Sequence, residues 1–170
     1  SVAVLALGSF VLWYVLYELW LLPDGRLDYW VSLRVIDGAA FIAELFGFEV
    51  WIQDRVVGIY GNIGIQMVDG CTGISAIGLF LGFVWAYPGK NWTRLYFSLM
   101  GIVIIYVVNI MRITSLLVIQ EWAPQFFDFT HNYSTTTIFY LVIFFLWILW
   151  VRMADGFNRP LSSNVTSGSL

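Results

Sequence analysis

The feature that most constrains this chain is the recurrence of apolar stretches long enough to cross a bilayer. Val2 to Leu22 is apolar apart from Ser9 and Glu18, and about 20 such residues span a hydrocarbon core of about 30 Å. Cys71 to Tyr87, Leu95 to Trp122 and Thr135 to Val151 repeat the pattern. Only 11% of residues are charged and mean hydropathy is +0.82, whereas soluble domains carry about 25% charged residues. The expectation is an α-helical polytopic membrane protein with about four full transmembrane helices. The first stretch has no basic n-region and no small-residue cleavage site, so it reads as a span, not a signal peptide.

Loop chemistry sets the orientation. Pro88-Gly89-Lys90-Asn91-Trp92-Thr93-Arg94 is short, turn-forming and basic; by the positive-inside tendency it is cytoplasmic. Cys71 then lies toward the outer face, Ala123 to Ser134 forms an extracytoplasmic loop, and both termini are cytoplasmic. Residues 1–156 read as one membrane-embedded domain in the cell membrane. Residues 157–170, with Asn158, Pro160, Ser162, Ser163, Asn164, Ser167, Gly168 and Ser169, read as a disordered tail.

Two segments break the pattern of spans. Leu27 to Phe48 reads as helical but carries Arg34, Asp37 and Glu44, which are costly at the bilayer centre. Asp37 and Glu44 share a face, with Leu33, Ile36, Ala40, Phe41 and Leu45 mostly away from it. This predicts an amphipathic helix in the outer half of the bundle, with Arg34 and Asp37 paired at i,i+3. Val50 to Val68 is β-branched and punctuated by Gly58, Gly61, Asn62 and Gly64, which predicts two or three short strands in a small extracytoplasmic β-hairpin region.

The strands lead into Asp69-Gly70-Cys71-Thr72-Gly73-Ile74, which holds the only cysteine. A thiol at a helix start meets unsatisfied N–H groups and the positive end of the helix dipole, which favour the nucleophilic thiolate. The alternative is an inert small hydrophobe, the commoner role of a lone cysteine among apolar residues. Depth separates the two. Cys71 lies seventeen residues before Pro88, and Arg112 lies seventeen after Leu95, so both stand about 25 Å above the basic loop. His131, the only histidine, lies 21 residues before Arg152, about 30 Å from the inner boundary if its helix begins near it. If the three meet, Cys71 attacks a carbonyl, His131 moves protons and Arg112 holds the oxyanion or a substrate carboxylate. Taken singly, Arg112 could snorkel to lipid phosphates and His131 could be an ordinary loop residue.

Other classes fit less well. A net charge of −3, spread thinly, offers no basic stripe for nucleic acid. One cysteine and one histidine do not make a zinc site, so no metal and no cofactor is expected. Ser75 lies a turn deeper than Cys71 without the glycine-flanked motif of rhomboid-like serine chemistry, and the apolar helices supply no polar pore lining.

Cys71-Thr72-Gly73, Asn109-Ile110-Met111-Arg112 and His131 together resemble the Cys, Arg and His motifs of the archaeosortase/exosortase family, on its histidine-bearing side. The resemblance covers about Leu27 to Arg152. It implies a cysteine transpeptidase that cuts C-terminal sorting signals of exported proteins and passes the new C-terminus to a membrane lipid or another envelope acceptor. By the same resemblance Cys71 is the nucleophile, with Arg112 and His131 completing the catalytic set. Thr72 and Gly73 support the nucleophile, and Asn109, on one face with Arg112, could orient it or serve as an interhelical contact. A peptidase that only hydrolyses, and a non-catalytic scaffold that binds a substrate helix, are the alternatives.

Overall fold

A computed structural model describes residues 2–69 and 71–158, with side chains except at 131, 132, 134–136, 157 and 158. The chain is mostly helical. α1 (Val2–Asp24) contains a π-helical turn at Tyr17–Leu21, and Gly25, in the left-handed conformation, turns the chain into α2 (Arg26–Leu45). Three antiparallel strands follow, β1 (Val50–Gln53), β2 (Val56–Ile59) and β3 (Ile65–Gln66), in the order β1-β2-β3. Val50 pairs with Ile59 and Val57 with Ile65. α3 (Ile74–Ala86) and α4 (Asn91–Trp122) are joined by the basic loop. A 3-10 turn at Pro124–Phe126 leads into α5 (Phe127–Asn158).

Among the described residues three helices are long and apolar enough to cross a membrane: α1, α4 and the Thr137–Gly156 part of α5. The fourth expected span is shorter. α3 has 13 residues, about 20 Å against a core of about 30 Å. It stops short because Gly73, at φ +83°, cannot continue a right-handed helix and Pro88 lies just beyond its other end. The turn carrying Cys71 precedes the first residue of α3 and is bonded to α4, so its irregular backbone is satisfied within the protein.

The expected loop at Ala123 to Ser134 is also corrected, since α5 is helical from Phe127 and residue 131 lies in its second turn. Of the expected tail, Phe157 and Asn158 close α5, and residues 159–170 lie outside the described residues.

α2 is amphipathic, but its buried face differs from the expected one. Asp28, Ser32, Val35, Ile36, Ala39, Ala40 and Ala43 are buried, while Phe41 and Leu45 are 61% and 71% exposed. In a membrane protein large apolar side chains can face lipid, and small residues let helices approach closely. Arg34 and Asp37 pair at 3.8 Å on the exposed side, as expected.

Two apolar clusters hold the fold. Ile36, Val57, Met67, Ile113 and Leu117 join α2, the sheet and the C-terminal half of α4. Phe80, Phe97, Ile143 and Trp150 join α3, the N-terminal half of α4 and α5. α1 docks on α3 where Trp13 packs against Gly78; a methyl group there would overlap the indole.

The sheet is anchored by Arg55, whose Nη1 pairs with Asp69 at 2.6 Å while its Nε donates to Ser32 Oγ at 2.9 Å. Met67 N–H donates to the Arg55 carbonyl. The residues just before Cys71 are thus tied to both the sheet and α2. At the β1–β2 turn, Tyr29 donates to Asp54 at 2.8 Å, and this bond to a carboxylate raises the phenol above its usual pKa.

Candidate active site

Between the two apolar clusters lies a layer of buried polar side chains. Asp28, Thr72, Asn109 and Arg112 are all at most 4% exposed, although each comes from a segment set in apolar surroundings. Buried polar groups in such a setting are held by hydrogen bonds or are strongly unfavourable. Here the bonds converge on Cys71-Thr72.

Cys71 is half-buried. The helix begins later than expected: Cys71 lies in a turn three residues before α3, with its N–H bonded to the Val68 carbonyl at 3.1 Å. Gly73 is the capping residue, and its carbonyl accepts the first helical bond from Ile77. The left-handed backbone at Gly73 places the thiol-bearing residue beside the helix terminus instead of within its first turn. A Cβ at Gly73 would lie 3.5 Å from the Phe139 ring and 3.7 Å from Asn109 Nδ2.

α4 reaches this turn from the side. Asn109 Nδ2 donates to the Thr72 carbonyl at 2.9 Å and approaches the Cys71 carbonyl at 3.4 Å. Arg112 Nη2 reaches the same Cys71 carbonyl at 3.5 Å, at the long limit of a hydrogen bond. The guanidinium lies over the Phe139 ring, 5.5 Å from its centre, a cation–π arrangement favoured where water is excluded. Arg112 Nε and Nη1 and Asn109 Oδ1 are buried without a hydrogen-bond partner among the described residues. A fixed cation with free donors beside a thiol can stabilise negative charge on a reacting carbonyl oxygen.

The structure thus brings Cys71, Thr72, Gly73, Asn109 and Arg112 together. The side chain of His131 lies outside the described residues. Its backbone is about 12 Å along α5 from Phe139, and its neighbour Thr130 lines, with Arg112 and Ser115, a cavity of about 230 Å³ between α4 and α5. A larger groove of about 390 Å³ opens on the other side of the turn, over α3 and between α1 and α5. Gly73, Ser75, Tyr17, Glu18, Phe139 and Tyr140 are among its lining residues. No group of three or more His, Cys, Asp or Glu able to hold a metal occurs among the described residues.

One residue of the layer, Asp28, and its partner Tyr17 escape the sequence reading. Asp28 is completely buried and accepts from Thr72 Oγ1 at 2.7 Å and from the Tyr17 hydroxyl at 3.0 and 3.2 Å. The available signal was a carboxylate close to the end of a membrane span, in a chain with few charges.

Comparison with known proteins gives one finding. Residues 1–148 match the family model described as "Transmembrane exosortase (Exosortase_EpsH)". No curated protein and no solved structure matches the chain.

Proposed function

The chain belongs to the transmembrane exosortase family, and from that footing we propose that it is a cysteine transpeptidase acting on the C-terminal sorting signals of exported proteins. Its site faces the extracytoplasmic side of the cell membrane, and the acceptor is a membrane lipid or another envelope nucleophile. The observation that carries the reading is the convergence of Arg112 and Asn109 on the backbone of Cys71-Thr72 inside a membrane bundle.

In this reading the Cys71 sulfur attacks the scissile carbonyl carbon as a thiolate, its proton passing to His131. Arg112 donates to the oxyanion that forms. The C–N bond then breaks, the leaving amine takes a proton from His131, and a thioester remains on Cys71. An acceptor hydroxyl or amine attacks that thioester, its proton goes to His131, and the thiolate is released.

The test is a secreted reporter carrying the C-terminal tail (short motif, apolar helix, basic cluster) of an exported protein from the same organism. Cells with the wild-type chain convert it to a shortened form; cells with Cys71→Ala accumulate the full-length reporter. Normal conversion by Cys71→Ala would overturn the proposal.

A further inference from the structure

We propose that Asp28 is a positioning residue for the reaction at Cys71, acting through the hydroxyl of Thr72. The inference rests on the transpeptidase reading above and adds to it a residue from a different helix.

A fully buried carboxylate in an apolar bundle is costly to desolvate and persists only where its oxygens are well satisfied. Asp28 is completely buried in the first turn of α2. Thr72 Oγ1 donates to its Oδ1 at 2.7 Å, and the Tyr17 hydroxyl donates to both of its oxygens. Tyr17 is itself 1% exposed and opens the π-helical turn of α1. Such a turn shifts the facing of the residues it contains relative to a regular helix and recurs at functional sites.

The geometry makes Thr72 a point of attachment from two sides. Its hydroxyl is held by Asp28 of α2, and its carbonyl is held by Asn109 of α4, with Asn109 and Arg112 also on the Cys71 carbonyl. The carbonyl bonds hold the dipeptide from α4, and the Cys71 N–H bond to Val68 holds it from the preceding turn. The Asp28–Thr72 bond adds a restraint from α2 on the residue next to Cys71, and so bears on the direction in which the Cys71 side chain leaves the backbone. Small errors in that direction matter, since displacing a reacting group by about 1 Å can cost about 100-fold in rate.

The experiment uses the full chain in its own membrane with the same tailed reporter. Four variants are compared: Thr72→Val, which keeps the shape and loses the hydroxyl; Thr72→Ser, which keeps the hydroxyl; Asp28→Ala; and the Thr72→Val/Asp28→Ala double. Processing rate is read at saturating reporter, and capture is read as uncleaved reporter co-purified with each variant in a Cys71→Ala background. Thr72→Val and Asp28→Ala are each expected to slow processing about tenfold with capture unchanged. The double variant is expected to be no slower than the worse single one, and Thr72→Ser to recover most of the rate lost by Thr72→Val.

Wild-type turnover in Thr72→Val overturns the inference. So do additive losses in the double variant, or a fall in capture as large as the fall in turnover. Cys71→Ala alone separates the two levels: if it still processes the reporter, the transpeptidase reading fails. If it is inactive while Thr72→Val and Asp28→Ala run at full rate, only the role of Asp28 fails.

Discussion

Asn109 holds the Thr72 carbonyl at 2.9 Å, a shorter bond than the 3.5 Å approach of Arg112 to Cys71. The asparagine is therefore the main tie between α4 and the turn, and the arginine keeps most of its donors for other use. Asn109→Ala leaves the buried Thr72 carbonyl without this donor, which should cost about 1–3 kcal/mol of stability. Asn109→Asp should be worse, since an ionised carboxylate would face two carbonyl oxygens. Thermal unfolding of the purified variants in lipid nanodiscs checks both.

Gly73→Ala should lower stability by about 1–2 kcal/mol, the cost of a side chain in the left-handed region. The added methyl meets Phe139 and Asn109 only at ordinary contact distance, so backbone strain and not a clash sets the effect. Thermal unfolding of the same kind, compared with Gly82→Ala as a control in a regular helical position, measures it.

Much of this was legible in the sequence, and each miss has its own physical cause. Apolar length and loop charge marked α1, α4 and α5, and the glycines after Val50 marked the strands. Helix rise alone put Cys71 and Arg112 at one level. The face of α2 was misread because Phe41 and Leu45 are apolar and face outward, while the buried stripe is built of alanines with Asp28 and Ser32; in a bilayer hydrophobicity does not say which side is the core. Asp28 was missed because its partner Thr72 is 44 residues away, and no local pattern records such a contact. The start of α3 was placed too early because nothing in the run Cys71-Thr72-Gly73-Ile74 announces a left-handed glycine.

Arg112→Lys should reduce turnover about 10²- to 10³-fold, the usual loss for an oxyanion donor. An ammonium offers neither the planar fork nor the stacking on Phe139. Single-turnover processing of the tailed reporter should show the loss in the chemical step, with reporter capture nearly intact.

Membrane-impermeant maleimide should label Cys71, the only cysteine, in intact cells. Labelling should be slow, since the thiol is half-buried beside the groove over α3. Labelling only in inverted vesicles would reverse the orientation drawn from Lys90 and Arg94.

The most direct measurement is mass spectrometry of the Cys71-containing peptide after brief incubation of the wild-type chain with the tailed reporter, quenched in acid to preserve a thioester. The account predicts a mass increase equal to the processed reporter fragment, joined as a thioester. The adduct should be removed by hydroxylamine and absent in Cys71→Ala. Normal processing by Cys71→Ala, with no adduct on the wild-type thiol, would contradict acyl transfer and leave a helix-binding scaffold in its place.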